Sequence, residues 1–262
     1  VCTIAMMMAS PGRAAAAETA PVPAEAQADD VAKRLYLALR SKDAAAAARC
    51  VAEATDDELL VRSPWEQRQE NQTLGQDAPY ATRGLTAVHV LARDCSDVVL
   101  VQKVLARAPQ ALSERAGISG DGKALQALPM HFAAQDNSSV EVVRLLLEIG
   151  GAEQLQVKDQ YGRLPMHMAA WQNSSVDVVR LLLEIGGAEQ LQVKTQYGWL
   201  PMHLAAEDNS SVDVVRLLLE IGGAEQLQVK GQDGWLPMHL AAVKNSSVEV
   251  VRLLLEIEEP SS

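Results

Sequence analysis

Five histidines fall at matching places in the chain: His89, His131, His167, His203 and His239. Histidine is the commonest metal ligand, so the series raises the question of a metal site. If the copies stack as helical units they lie about 8–10 Å apart, whereas zinc draws imidazole nitrogens to about 2 Å. Neighbouring histidines therefore cannot share an ion, and a structural role is expected. A second motif, GISGDGK from Gly117 to Lys123, fits the phosphate-loop pattern G-x-x-x-x-G-K. That loop needs a buried strand before it, a helix after it and a Ser or Thr following the Lys. Position 124 is Ala and the preceding ALSERA is not strand-like, so the segment is expected to be a flexible insertion in a hairpin. Asn71, Asn137, Asn173, Asn209 and Asn245 each open an N-x-S/T triplet. These would be glycan acceptors in a secreted protein, but four repeat one turn, where Asn and Ser serve as turn and cap residues. The sequence contains no G-x-S-x-G, no HExxH and no Cys/His nucleophile arrangement, so neither catalysis nor a cofactor is expected.

Composition narrows the partner class. There are 23 Lys and Arg against 34 Asp and Glu, a formal charge of −11, with no basic block of the kind that phosphate backbones require. Nucleic acid is not an expected partner. No apolar run approaches the 18 residues or so of a membrane span, so membrane insertion is not expected either. Cys2, Cys50 and Cys95 are odd in number and form no CxxC pair, which fits a reducing compartment. The cytoplasm is expected, with the nucleus as the alternative. Aromatic residues make up only 3% of the chain, which favours helices packed through small side chains.

One observation sets the scaffold that carries these residues. LPMH recurs at Leu128–His131, Leu164–His167, Leu200–His203 and Leu236–His239, a spacing of 36 each time. A fixed period of 20–50 residues marks a stacked solenoid, in which each unit buries its apolar face against its neighbours. Within the unit 162–197, Pro165 suits a first helical turn. Ala169 and Ala170 allow close approach of another helix, and Asn173-Ser174-Ser175 makes a turn. Ser174 and Asp177 are spaced like a capping box. Val178, Leu181, Leu182 and Ile185 form the apolar face of a second helix, with Asp177, Arg180 and Glu184 paired on its wet side. Gly186-Gly187 ends that helix, and AEQLQVKTQYG is expected to return as an extended hairpin.

With x-P-M-H-x-A-A followed by V-V-R-L-L-L-E, the unit resembles the ankyrin repeat, whose signature is T-P-L-H-x-A-A followed by V-V-x-L-L-L. The resemblance implies an all-α helix-turn-helix solenoid with short β-hairpin tips. It covers regular units 126–161, 162–197 and 198–233, a terminal unit 234–262, and a degenerate unit 80–125 in which Thr86-Ala87-Val88-His89 carries the signature. Val99, Val104 and Leu105 match that unit's second helix. It also implies that the five histidines are structural, tying the hairpin to the helix start. The family period is about 33, and the three extra residues fall in loops. Leu128, Leu164, Leu200 and Leu236 stand where the signature has Thr. That substitution removes a helix-capping oxygen worth about 1 kcal/mol, unless the leucine is itself buried. Only Thr86 retains it.

Before the repeats, residues 1–28 are Ala- and Pro-rich and are expected to be disordered; Pro11, Gly12 and Arg13 interrupt what a signal peptide would need. Residues 29–79 are expected to form a helical amino-terminal cap and a loop. Val31, Leu35, Leu37 and Leu39 supply the apolar side of its first helix, and an Ala run to Val51 the second. Thr55 and Glu58 form a capping box for a third, stopped at Pro64, and Trp65 to Pro79 reads as an extended loop.

Positions that differ between otherwise near-identical units point to function. They cluster at the tips and on the first helix: Asp159, Thr195 and Gly231; Tyr161, Tyr197 and Asp233; Arg163, Trp199 and Trp235; Phe132, Met168 and Leu204; Trp171, Glu207 and Val243; Gln172, Asp208 and Lys244. In ankyrin-like stacks tips and first helices line the concave binding groove. Exposed Trp, Tyr and Arg most often anchor interfaces. The partner-binding set drawn from these positions is Tyr161, Arg163, Met168, Trp171, Gln172, Tyr197, Trp199, Glu207, Asp208, Asp233, Trp235 and Lys244. A rim with Asp136, Glu207 and Asp208 favours a protein partner of basic or mixed charge. The expected function is thus a non-catalytic protein-interaction scaffold. The alternatives are the regulatory or targeting region of a larger enzyme or channel, and drift after recent duplication with no groove function. Finally, the helix Ser247 to Ile257 repeats the internal helices almost unchanged. Terminal units normally carry a polar outer face, so this one is expected to fray first, or to be covered by another copy or by residues missing from this chain.

Overall fold

A computed structural model describes residues 31, 34–39, 41–60, 85–118 and 124–258. Five helix pairs succeed one another. Their first helices are Ala87–Asp94, Pro129–Asp136, Pro165–Gln172, Pro201–Asp208 and Pro237–Lys244. The second helices are Val98–Arg107, Val140–Gly150, Val176–Gly186, Val212–Gly222 and Val248–Glu258. First helices pack on first helices and second on second, and the small faces Ala133-Ala134, Ala169-Ala170 and Ala205-Ala206 at these junctions are wholly buried. The core is one continuous apolar seam from Val31 to Leu254.

The N-S-S turn does more than reverse the chain. Asn173 Nδ2 donates to the Ala134 and Asn137 carbonyls of the preceding unit, at 2.8 and 3.0 Å, while its Oδ1 accepts from Ser175 N. Asn137, Asn209 and Asn245 make the corresponding bonds. The result is a ladder of amides that satisfies first-helix carbonyls across each junction. With both amide atoms engaged and Asn137, Asn173 and Asn209 buried, these triplets cannot present a glycan acceptor without local opening. The cap of the second helix is the following serine: Ser175 Oγ, not Ser174, accepts from Val178 N. On that helix Val179 and Leu183 are buried beside Val178, Leu181 and Leu182, whereas Ile185 faces outward. The buried stripe is therefore shifted from the expected one. Among the described residues no ion pair joins Asp177, Arg180 and Glu184, although all three are exposed.

Past the second helix, Gly187 adopts φ 84° and ψ 158°, a region essentially closed to residues with a Cβ. The expected extended hairpin is replaced at its start by a 3-10 turn, Ala188–Gln192. Gln190 explains it: its Nε2 reaches back to the Leu182 and Gly187 carbonyls, both at 3.0 Å, capping the preceding helix, while Leu191 fills the seam. The tips proper are reverse turns bonded to the next unit, as in Gln196 N to Tyr161 O at 2.9 Å. Among the described residues, paired strands occur once, as β1 (Ala116–Ile118) antiparallel to β2 (Ala124–Ala127). They flank residues 119–123 of the phosphate-loop motif, which lie outside the described residues. Directly after the motif comes β2, a strand where a phosphate loop requires a helix, so that arrangement is not met.

At the amino-terminal side, Val31 and Leu35 are buried as expected, but Leu37 points outward and Tyr36 and Ala38 take its place. The second helix is Ala44–Glu53, capped by Asp43, and the Thr55/Glu58 box forms before Asp56–Leu60. The expected disordered segment 1–28 and the loop from Trp65 to Pro79 lie outside the described residues. Arg107 ties this region to the first repeat-like pair, donating to the Val51 and Ala54 carbonyls and pairing with Asp56. In that pair Val104 and Leu105 are buried, but Val99 faces outward, and Leu100 and Val101 are buried in its place.

Candidate protein-binding face

The histidines fix the geometry of each first helix. His131 Nδ1 accepts from Leu128 N at 3.1 Å, and its Nε2 donates to the Arg163 carbonyl of the next tip at 3.2 Å. His167 does the same with Leu164 N and the Val193 carbonyl. In His131 and His167 both ring nitrogens are used, which leaves neither a lone pair for a metal. Burial pushes the pKa of His131 and of His167 down to about 4, and lowers that of His203. This agrees with rings whose Nδ1 must stay unprotonated to accept. The absent Thr is thereby accounted for, and the expectation of a weakened cap is corrected. Leu128, Leu164 and Leu200 are buried, the N–H of each following histidine bonds to the leucine carbonyl at 2.9–3.0 Å, and the leucine's own N–H goes to the histidine Nδ1. Even Thr86 does not cap its helix; its hydroxyl donates to His89 Nδ1 at 2.7 Å.

The tips are built by compensating side chains. Asp159 Oδ1 accepts from the N–H groups of Tyr161 and Arg163, and its Oδ2 receives the Arg163 guanidinium at 2.7–2.8 Å. In the next unit Thr195 Oγ1 accepts from Tyr197 N and Trp199 N, both at 3.2 Å. The third has Gly231, where an added Cβ would lie 2.7 Å from the indole of Trp199. Glycine stands there because Trp199 occupies the space.

These tips and the first helices beneath them enclose a cleft of about 390 Å³ lined by Tyr161, Arg163, Trp171, Thr195, Tyr197, Trp199, Leu204 and Glu207. Tyr161 and Tyr197 stack at 6.3 Å, Trp199 lies parallel to the His203 ring at 6.3 Å, and Arg163 lies over Tyr161 at 5.0 Å. The helix-turn-helix units, their Pro-Met-His starts and their stacking are those of one known repeat type, and the family model described as ankyrin repeats (3 copies) matches residues 111–194 and 185–261. The chain belongs to the ankyrin-repeat family. No curated protein matches it. Ankyrin repeats are generally protein–protein interaction modules.

Six residues of the sequence-derived set, Tyr161, Arg163, Trp171, Tyr197, Trp199 and Glu207, thus meet in one cleft of the ankyrin stack. Lys244 joins them by pairing with Glu207. Gln172 and Asp208 sit alongside, where Gln135 donates to Gln172 and Gln172 to Asp208. Asp233 and Trp235 belong to the following tip and are exposed. Met168 is the exception: only 3% exposed, it supports the first helix from within and cannot be a principal contact. Thr195 and Leu204 line the cleft from outside the sequence-derived set, although both are among the positions that vary between units. Among the described residues no helix is long and apolar enough to cross a membrane.

Proposed function

We propose that this chain is a non-catalytic scaffold that binds a partner protein through the face formed by its tips and first helices, centred on the Tyr161–Trp199 cleft. One observation carries the reading: four aromatic residues at positions free to differ between units, Tyr161, Trp171, Tyr197 and Trp199, converge on one open cleft. The twelve sequence-derived residues, less Met168, form its contact set. The test uses peptides selected from a random displayed library against the full chain. Trp199→Ala or Trp235→Ala should weaken their binding by about 1 kcal/mol or more with helicity unchanged. Arg180→Ala and Glu184→Ala, on the exposed side of a second helix, should leave it intact. Equal losses on both faces would sink this assignment.

A further inference from the structure

The cleft contains two charged side chains, and they are not equivalent. Arg163 is fully engaged, its guanidinium held by the buried Asp159 carboxylate and laid over Tyr161. Glu207 is sunk into the cleft with its side chain 12% exposed, yet its counterion Lys244 arrives from the next first helix and is 54% exposed. Such a pair combines a largely covered carboxylate with an exposed ammonium that water already solvates. Half-exposed lysine pairs contribute little to stability and exchange readily. Around Glu207 the walls are Trp171, Tyr197, Trp199 and Leu204. Ring faces attract cations, and the alkyl stem of a long basic residue covers apolar surface while its head stays polar. Asp208 adds an exposed carboxylate beside the covered one, on a chain whose formal charge is −11.

We infer that the cleft receives a long basic side chain, lysine or arginine, from an extended segment of the partner, and that this side chain takes Glu207 from Lys244. The inference rests on the groove reading above and names what the groove selects. Lys244 acts as an internal placeholder: it neutralises Glu207 in the free chain and swings out when a better-placed cation enters. An acidic side chain could displace Lys244 only by leaving two carboxylates facing each other, and a neutral one would leave the Lys244 pair in place and gain no charge contact.

N-Butylguanidinium and its neutral counterpart N-butylurea serve as probes on the full chain, followed through the indole N–H resonances of Trp171 and Trp199. The expected result is a saturable shift with butylguanidinium and none with butylurea at equal concentration. Glu207→Gln should weaken the response by about tenfold or more, with helicity as the check on folding. Lys244→Met, which removes the competitor and keeps the stem, should strengthen it several-fold. Equal responses to the two probes, or a Lys244→Met variant that binds no better, would overturn the inference. The two failures separate cleanly. If selected peptides depend on Trp199 but not on Glu207 or on a basic residue, the cation site falls and the groove stands; if they do not depend on Trp199, the groove reading itself falls.

Discussion

The helix pair Pro201–Asp208/Val212–Gly222 and the pair Pro237–Lys244/Val248–Glu258 have nearly the same sequence and quite different surroundings. Leu219 is 8% exposed and its counterpart Leu255 is 49% exposed. His203 is buried and His239 exposed; Ala206 is buried and Ala242 exposed. Val243 and Val248 also face outward. The helices form equally well in both, so what differs is the neighbour on the far side, not local propensity. In a solenoid each unit's stability is its own contribution plus its interfaces, and the second pair has one described interface where the first has two.

The largest expected effect tests that difference directly. Leu219→Ala should cost about 2–5 kcal/mol, as for a buried leucine, while Leu255→Ala should stay within about 0.5 kcal/mol, as for a surface change. Urea unfolding of the two variants measures both. Comparable losses would mean that another surface covers the last pair in solution. Hydrogen exchange sharpens the same point: amides of Val248–Glu258 should exchange through local opening well before those of Val212–Gly222 in a demonstrably monomeric sample. Equal protection there would remove the contrast.

Protonation gives a second, smaller lever. His131 and His167 have folded-state pKa values lowered to about 4 by burial, against about 6.5 unfolded. Below pH 6.5 the unfolded chain takes up protons that the folded chain refuses. Their contribution is therefore complete above about 6.5 and is lost as pH falls toward 4, at up to about 1.4 kcal/mol per pH unit for each histidine. His167→Gln should flatten the slope of unfolding free energy against pH between 6.5 and 5. An unchanged slope in His167→Gln would show that the buried ring does not govern this dependence.

Much of this architecture is legible in sequence because repetition amplifies weak signals: one LPMH or one VVRLLLE says little, but a 36-residue recurrence fixes helix, turn and helix together. The cleft is partly legible for the opposite reason, since all of its lining residues stand at positions that break the repetition. What the pattern cannot reveal are interactions between units. Nothing in N-S-S announces that Asn173 bonds to carbonyls 36 and 39 residues away, or that Gln190 turns back to cap the helix before it. Gly231 reads as a random difference until Trp199 is seen against it. Met168 shows where variation between units fails as a guide to exposure, because a buried position can also vary among Phe, Met and Leu when only apolar volume is required.

The smallest effect concerns the four leucines that replace the signature threonine. A hydroxyl at a helix start is worth about 1 kcal/mol where it caps an N–H, so Thr alone would be expected to stabilise. In the internal units the balance runs the other way. Leu200 is only 1% exposed, and the His203 N–H that a hydroxyl would cap already bonds to the Leu200 carbonyl at 3.0 Å. Threonine there would lose part of a buried leucine's burial energy, about 1.5–3 kcal/mol, and Thr86 shows that the hydroxyl turns to the histidine instead of the helix. Leu236 differs in being half-exposed, so it has less to lose. Leu200→Thr should therefore destabilise the stack by about 1–2 kcal/mol, and Leu236→Thr should change it by less than about 0.5 kcal/mol. Thermal unfolding of the pair decides. A stabilised Leu200→Thr variant would show that capping outweighs the apolar seam even inside the stack.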